Sequence, residues 1–162
     1  MKSLNTYISE WKANSSTVSS IKKFFIYEQN ETYKIRIFNN NWPLMNDFTN
    51  KVYINGENVK IGGTGWTPLA YEPGIYKVEI KDLDQIINCY KMFFNCRCLV
   101  SVPLFNTSNV KDMACMFEEC EYLEYVPVFD TKNVTDMSYM FYNCNSLNEK
   151  AQQKWTQILM KI

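Results

Sequence analysis

The second half of the chain carries apolar side chains that return at a fixed interval of 24 residues. A Met-Phe pair, a cysteine and a leucine keep this interval through three copies, and a Val-Pro pair keeps it through two. The positions are Met92-Phe93, Met116-Phe117 and Met140-Phe141; Cys96, Cys120 and Cys144; Leu99, Leu123 and Leu147; Val102-Pro103 and Val126-Pro127. So many coincidences at one spacing indicate tandem repeats of a stacked-repeat protein.

Each repeat predicts a short helix followed by a very short strand. In the last copy the apolar residues fall on one helical face: Val134, Met137, Met140, Phe141 and Cys144. Asn133 stands where an N-cap would, and Asp136 follows in the first turn. One copy earlier, Leu123-x-x-Val126-Pro127 predicts a strand that the proline ends. Because one such unit cannot bury its own apolar face, neighbouring copies must stack.

Residues 21–80 predict β structure. Two aromatic and β-branched runs, Lys22–Tyr27 and Thr32–Phe38, flank a hairpin loop at 28–31. Asn55-Gly56 is the strongest short hairpin signal in the chain and favours a type I′ turn between strands at 51–54 and 57–61. After a glycine-rich turn at 62–65, the Pro73-Gly74 turn leads into a last strand at 75–80.

Both ends of the chain predict amphipathic helices. Near the start, one helical stripe comprises Leu4, Tyr7, Ile8 and Trp11, and a polar linker follows at 13–20. A helix this short is marginal alone in water, so it must dock, either on its own sheet or as an anchor in a neighbouring subunit. At the other end a second stripe predicts a helix that caps the repeats: Ala151, Trp155, Ile158, Leu159 and Ile162.

Two segments carry motifs of known families. The run Thr131-Lys132-Asn133-Val134-Thr135-Asp136-Met137-Ser138-Tyr139-Met140-Phe141, continued by Cys144 and Leu147, resembles the BspA-like leucine-rich repeats of bacterial and protist surface proteins. The run Tyr71-Glu72-Pro73-Gly74-Ile75-Tyr76-Lys77-Val78-Glu79-Ile80 resembles the last strand of a β-sandwich of the polycystic-kidney-disease (PKD) type. Such a module often precedes BspA-like repeats.

These resemblances imply an α+β fold, a short leucine-rich-repeat solenoid capped by an N-terminal antiparallel β-sheet module and a C-terminal helix. The chain then divides into an amphipathic segment and linker at 1–20, a β-rich PKD-like module at 21–82, BspA-like repeats at 83–147 and a capping helix at 148–162. The sheet would cover the first repeat, whose open end would otherwise expose apolar surface.

The composition argues against an enzyme. Histidine is absent, which excludes Ser-His-Asp and Cys-His catalysis and histidine-ligated zinc. The glycine-rich turn at 62–65 lacks the Gly-Lys-Ser/Thr that a phosphate-binding loop needs. With 17 basic and 17 acidic residues, the chain has no electrostatic footprint for nucleic acid. We therefore predict a non-enzymatic protein without a cofactor or a metal.

Six cysteines need an explanation of their own. Three of them, Cys96, Cys120 and Cys144, hold equivalent positions in the repeats, which predicts reduced thiols packed in the core. One alternative is a cysteine-only zinc site that comprises Cys96, Cys98, Cys115 and Cys120. Another is a disulfide that involves Cys89, Cys98 or Cys115, which requires an oxidising compartment.

The repeats predict a protein-interaction or adhesion-type module that binds a protein or a surface glycan. The candidate contact residues vary between copies while the core repeats: Arg97, Ser101, Glu121, Tyr125 and Lys132. Tyr125 is the predicted exposed aromatic anchor, because aromatic side chains dominate interface energetics. Trp42 and Trp66, in loops, are secondary candidates.

A structural role is the alternative. The chain would then be an accessory subunit of a larger assembly, such as a capsid decoration or tail protein of a phage virion, with the Leu4–Trp11 stripe contacting neighbouring subunits. The N-terminus does not match a signal peptide, and no apolar run reaches the length of a membrane span. This predicts cytoplasmic synthesis without membrane insertion, and a virion or cell surface would be reached by a route independent of Sec.

Overall fold

The computed structural model of the chain describes residues 22–28, 36–65, 67 and 74–161. The predicted anchor stripe (Leu4, Tyr7, Ile8 and Trp11), the loop at 29–31, Trp66 and Ile162 lie outside the described residues. In chain order the elements are β1 (Lys22–Glu28), α1 (Met45–Phe48), β2 (Val52–Ile54), β3 (Glu57–Asn58), β4 (Gly74–Ile80), β5 (Leu99–Ser101) and α2 (Glu149–Leu159), with a 3-10 turn at Leu83–Gln85 before β5.

One antiparallel sheet joins the N-terminal half to the repeats. Its strand order is β3-β2-β4-β1-β5. β1 pairs with β4 along its whole length, from Lys22 opposite Ile80 to Glu28 opposite Gly74. On its other side β1 pairs with β5, which belongs to the first repeat. The sheet therefore ties the two halves of the chain together through main-chain hydrogen bonds.

The predicted hairpin at Asn55-Gly56 is confirmed. Asn55 has φ 51° and Gly56 has φ 88°, the pair of positive angles that a type I′ turn requires. β3 ends at Asn58, earlier than the predicted strand. The turn at 62–65 is also confirmed, because Gly65 N–H donates to the Gly62 carbonyl at 2.9 Å. Gly65 has φ 82°, and a Cβ there would overlap the Phe38 carbonyl oxygen, so only glycine fits.

The repeats form turns where the sequence predicts a short helix, so that prediction is wrong. Each copy places two residues in the left-handed region, four positions apart: Lys91 and Asn95, Cys115 and Glu119, Tyr139 and Asn143, with φ between 56° and 64°. A left-handed residue at every fourth position interrupts an α-helix. The backbone N–H groups of these turns consequently point to the next copy and not along a helix axis.

The predicted N-cap in each repeat is an Asx turn. Asp136 Oδ1 accepts from Ser138 N–H at 2.9 Å, and Asp112 Oδ1 accepts from Ala114 N–H at the same distance. Asn133 caps no helix, because the residues that follow it form turns, and its Nδ2 donates to the Ser108 carbonyl at 2.6 Å. The spacing of polar residues was a real signal, but it belongs to a turn.

The predicted strand near Val126 is reduced to a single bridge. Tyr125 makes an isolated parallel bridge to Ser101, and among the described copies only the first forms a strand there, at Leu99–Ser101. The reason is local, because β1 lies beside the first copy and supplies the partner that a strand needs.

Main-chain hydrogen bonds connect the turn segments 86–99, 110–123 and 134–147, here called copies 1, 2 and 3. Alternate N–H groups of each copy donate to carbonyls of the next at 2.8 to 3.1 Å. Copy 1 joins copy 2 by Cys89 N to Asp112 O, Lys91 N to Ala114 O, Phe93 N to Met116 O and Asn95 N to Glu118 O. Copy 2 joins copy 3 by Met113 N to Asp136 O, Cys115 N to Ser138 O, Phe117 N to Met140 O and Glu119 N to Tyr142 O.

An aromatic column runs through the stack. Phe93 and Phe117 are parallel at 5.6 Å between centroids, as are Phe117 and Phe141. Phe38 continues the column at 6.1 Å from Phe93, and Trp155 continues it at 5.3 Å from Phe141. The core is therefore continuous from the N-terminal half to the C-terminal helix.

The predicted C-terminal helix is confirmed as α2, Glu149–Leu159. Asn148 is its N-cap, and its side chain accepts from Ala151 N–H at 3.0 Å. Ala151 and Trp155 are buried, whereas Leu159, predicted to lie in the same stripe, is exposed. Neither helix in the described part of the chain has the length and apolar content that crossing a membrane requires.

Candidate interaction surface

A network of polar side chains crosses the three copies on one lateral face. We call it the polar ridge; it comprises Asn95, Arg97, Glu119, Glu121 and Asn143. Arg97 Nε donates to Asn95 Oδ1 at 2.9 Å. The Arg97 guanidinium lies 3.6 Å from the Glu121 carboxylate and 3.8 Å from that of Glu119, and Asn143 Nδ2 donates to Glu119 Oε1 at 3.0 Å. The ridge brings together two predicted contact residues, Arg97 and Glu121.

The backbone places this ridge at the edge of the stack. Asn95, Glu119 and Asn143 are the second left-handed residues of copies 1, 2 and 3. Asparagine tolerates the left-handed region better than most residues, which suits two of these three positions. Because Arg97 keeps 57% of its side chain exposed, its ion pairs are screened by water and contribute little to stability. A partner can therefore replace them at low cost.

Lys132 lies apart from these contacts. Its Nζ is 3.5 Å from the Asp130 carboxylate, and its side chain is 66% exposed. It remains available on the surface, in the connection that leads into copy 3.

Two predicted contact residues are placed differently from expectation. Ser101 is fully buried, and its Oγ has no hydrogen-bond partner among the described residues, so it cannot contact a ligand from solvent. Tyr125 is half-buried where an exposed anchor was predicted. The two residues form the parallel bridge between β5 and the segment that follows copy 2.

The loop tryptophan Trp42 is also no surface contact. It is buried, and its Nε1 donates to the Asn88 carbonyl at 2.8 Å. Its neighbour in the loop, Asn39, donates its main-chain N–H to the Met92 carbonyl and its Nδ2 to the Phe94 carbonyl. The loop thus binds the edge of copy 1.

Sequence reasoning missed several exposed apolar side chains, of which two pairs lie on the stack. Tyr139 and Tyr142, in copy 3, are 67% and 53% exposed and meet edge to face at 6.0 Å. Leu104 and Val128 are 47% and 45% exposed on the flank of the stack. These two keep the 24-residue interval and directly precede a buried phenylalanine, an alternation that could have identified them.

The repeated cysteines form a ladder of thiol hydrogen bonds. Cys120 Sγ donates to the Phe93 carbonyl and Cys144 Sγ to the Phe117 carbonyl, each at 3.0 Å. Cys96 Sγ lies 3.8 Å from the Ile37 carbonyl. Cys96 and Cys120 are buried and Cys144 is half-buried, and all six cysteines are free thiols. The ladder gives the cysteines a structural role in joining one copy to the next.

Burial keeps these thiols protonated. Burial raises the pKa of Cys144 to about 12, and it raises the pKa values of Cys96 and Cys120 well above the ordinary value. Burial, helped by a hydrogen bond with Glu118, raises the pKa of Cys115 to about 11. At neutral pH each thiol is therefore a hydrogen-bond donor and a poor nucleophile.

One carboxylate of the repeats also has a shifted pKa. Hydrogen bonds from the backbone N–H and hydroxyl of Ser138 lower the pKa of Asp136, which keeps this exposed carboxylate charged. Within the described ranges, no three Cys, Asp or Glu side chains are grouped in a way that could hold a metal ion.

One comparison with known proteins identifies a family. The profile described as "Mycoplasma protein of unknown function, DUF285" matches residues 74–160, from β4 through α2. The match covers more than half of the chain and includes all three copies. No curated protein and no solved structure matched the chain.

Proposed function

This chain belongs to the DUF285 family, and on that premise we propose that it is a non-enzymatic interaction module, built as a short leucine-rich-repeat solenoid of the BspA-like kind. The DUF285 family is related to BspA-like repeat proteins. The β-sheet at the N-terminus, which we propose to be PKD-like, and α2 act as its two caps. The ligand in this proposal is a protein or a surface glycan.

The observation that carries the proposal is a constant backbone with variable outward side chains. The same alternate N–H groups bond copy 1 to copy 2 and copy 2 to copy 3. The outward positions meanwhile change from Arg97 to Glu121 to Asn145. A rigid frame that keeps its register while its surface varies is the arrangement by which repeat proteins present binding surfaces.

The polar ridge is the proposed contact face. It carries both signs of charge, together with amide groups that donate and accept hydrogen bonds. Mixed, solvated polar groups at an interface rim favour specificity over raw affinity. The exposed Lys132 adds a separate cation on the surface.

The proposal is tested by panning a random 12-residue peptide display library against the full chain. We expect enriched peptides to lose at least tenfold in affinity for a variant that carries Arg97→Ala and Glu121→Ala. The matched control is Lys60→Ala, an exposed residue of the N-terminal half, which should bind as the parent does. Thermal denaturation of both variants shows that the fold is retained.

Two outcomes contradict the proposal. Enriched peptides that bind the double variant as tightly as the parent would move the contact face away from the ridge. A panning experiment that enriches no peptide, together with an oligomeric mass in light scattering, would favour the alternative, a structural subunit of a larger assembly.

A further inference from the structure

The stack of copies has a direction. The eight main-chain bonds between alternate turn residues of copies 1, 2 and 3 all run from an N–H group of the earlier copy to a carbonyl of the later one. In addition, the Thr135 N–H of copy 3 donates back to the Lys111 carbonyl of copy 2 at 2.8 Å. Each copy consequently shows a row of carbonyls on its N-terminal side and a row of N–H groups on its C-terminal side. The two end copies must each leave one row without a neighbour of the same kind.

Three of the four carbonyls in the row of copy 1 accept hydrogen bonds from the N-terminal half. The Trp42 indole N–H donates to the Asn88 carbonyl at 2.8 Å. The Asn39 main-chain N–H donates to the Met92 carbonyl at 3.0 Å, and Asn39 Nδ2 donates to the Phe94 carbonyl at 2.9 Å. Two residues thus take the place of a preceding copy at this end.

The N–H row of copy 3 has no such partner. The groups equivalent to those that copy 2 donates are the main-chain N–H groups of Met137, Tyr139, Phe141 and Asn143. No carbonyl among the described residues accepts from any of these four. We call this row, together with the exposed rings of Tyr139 and Tyr142, the donor edge.

The C-terminal helix covers a different part of this end. Trp155 packs on Phe141 at 5.3 Å and on Phe129 at 6.1 Å, and its Nε1 points to the Val126 carbonyl at 3.4 Å. The helix therefore shields the ring of Phe141 and the adjoining flank. Tyr139 and Tyr142 remain 67% and 53% exposed beside it.

A row made only of donors restricts what can bind. The edge of an ordinary β-strand offers N–H and carbonyl groups in alternation, so it matches the row at only half of its positions. The carboxylate of Asp136, at the start of copy 3, would repel an anion. The carboxylate of Glu119, which accepts a hydrogen bond from Asn143, would do the same. A second molecule related by a two-fold axis would place donors against donors.

The carbonyl row of this protein's own copy 1 is the complementary surface, but in a second molecule that row is already occupied by Asn39 and Trp42. We propose that the donor edge binds another polypeptide that carries the same repeat with an uncapped carbonyl row. The partner repeat adds to the stack beside α2, and its carbonyls accept from Met137, Tyr139, Phe141 and Asn143. The exposed tyrosine pair packs against the partner's flank.

The donor edge shares only Asn143 with the polar ridge, and it uses the main-chain N–H of that residue where the ridge uses its side chain. It therefore adds to the proposed function and does not depend on it. Peptides can bind the ridge whether or not the donor edge is used. A failed test at the end of the stack accordingly leaves the lateral contact face untouched.

The test attaches a partner repeat covalently to the full chain. A copy of residues 107–131 is attached after Ile162 through a Gly/Ser linker of about 12 residues, which holds it at an effective concentration in the millimolar range. Hydrogen exchange by NMR then reports on each amide. We expect the main-chain amides of Met137, Tyr139, Phe141 and Asn143 to exchange at least tenfold more slowly than in the parent chain.

Three controls make the result decisive. A scrambled copy of residues 107–131 on the same linker should leave the four amides as they are in the parent. Tyr139→Asp should abolish the protection, and Leu104→Asp, an exposed apolar residue on the flank, should retain it. Unchanged exchange with the native copy, protection by the scrambled copy, or equal loss in both variants would each overturn the proposal.

Discussion

The two ends of the repeat stack are closed in different ways. At the N-terminal end, Phe38 extends the aromatic column, and the loop at 39–42 bonds three carbonyls of copy 1. At the C-terminal end, Trp155 extends the same column, but the N–H row of copy 3 keeps no acceptor among the described residues. Aromatic side chains therefore cover the column at both ends, whereas the cap forms hydrogen bonds with the row of main-chain groups only at the N-terminal end.

The difference follows from what each cap can offer. A loop residue such as Asn39 supplies both a main-chain and a side-chain donor, so it can satisfy several carbonyls at once. An α-helix uses its carbonyls for its own hydrogen bonds, except in its last turn. A helix laid across an N–H row can therefore bury rings but has few acceptors to give. The choice of cap decides which end keeps main-chain N–H groups without an acceptor among the described residues.

The largest test of this comparison removes the apolar cap. Trp155→Ala should lower the free energy of unfolding by about 3–5 kcal/mol, because the buried indole packs on both Phe141 and Phe129. Urea denaturation measures the change. Gln153→Ala, an exposed position on the same helix, is the matched control and should have little effect. A loss below about 1 kcal/mol for Trp155→Ala would show that α2 is not needed to close the stack.

A second test isolates the polar closure. Trp42→Phe and Trp155→Phe remove the same group from two buried tryptophans, but the Trp42 hydrogen bond is 2.8 Å long and that of Trp155 is 3.4 Å. We expect Trp42→Phe to cost about 1–3 kcal/mol, since the Asn88 carbonyl loses its donor, and Trp155→Phe to cost less. Equal losses in urea denaturation would contradict the idea that only the N-terminal end is closed by hydrogen bonds.

The third test concerns the thiol nearest the open end, and its effect is absent at neutral pH. The pKa of Cys144 is about 12 in the folded chain and near 9.0 when unperturbed. Its contribution to stability is therefore complete below pH 9 and is lost as the pH rises from about 9 to 12, because only the unfolded chain releases the proton in that window. In this window the free energy of unfolding of Cys144→Ala should fall less steeply with pH than that of the parent chain, by at most about 1.4 kcal/mol per pH unit.

That measurement has an internal control. Cys98→Ala removes another partly buried thiol that lies outside the ladder. If the free energy of unfolding of Cys144→Ala fell with pH as steeply as that of the parent chain, the Cys144 thiol would titrate as it does in the unfolded chain. The ladder would then end at Cys120.

The repeat period predicted the core because every interior copy has the same neighbours. Met116, Cys120 and Leu123, chosen from the 24-residue interval, are fully buried. The short helix was wrongly predicted because stacked turns place apolar residues at nearly the same spacing as a helix. The residues that distinguish these turns from a helix are Lys91, Cys115 and Tyr139. Their backbone lies in the left-handed region, yet their side chains share no chemical property.

The contact surface was less predictable, because it depends on residues distant in sequence. Ser101 varies between copies like a ligand-binding residue, but β1, about 75 residues earlier, covers it. Arg97 and Glu121, which do not belong to the repeated core, lie at the surface, and their role as contact residues stays a prediction. The donor edge consists of main-chain groups, so no pattern of side chains could have revealed it.

The repeated direction of the hydrogen bonds between turns also bears on how such a protein could lengthen. A duplicated stretch of 24 residues inserted between copies 2 and 3 would receive carbonyl acceptors from one side and N–H donors from the other, as its neighbours do. Asn39, Trp42 and Trp155 would keep their present contacts at the two ends. Repeat number is thus a heritable variable that gene duplication can change without redesign of either terminus.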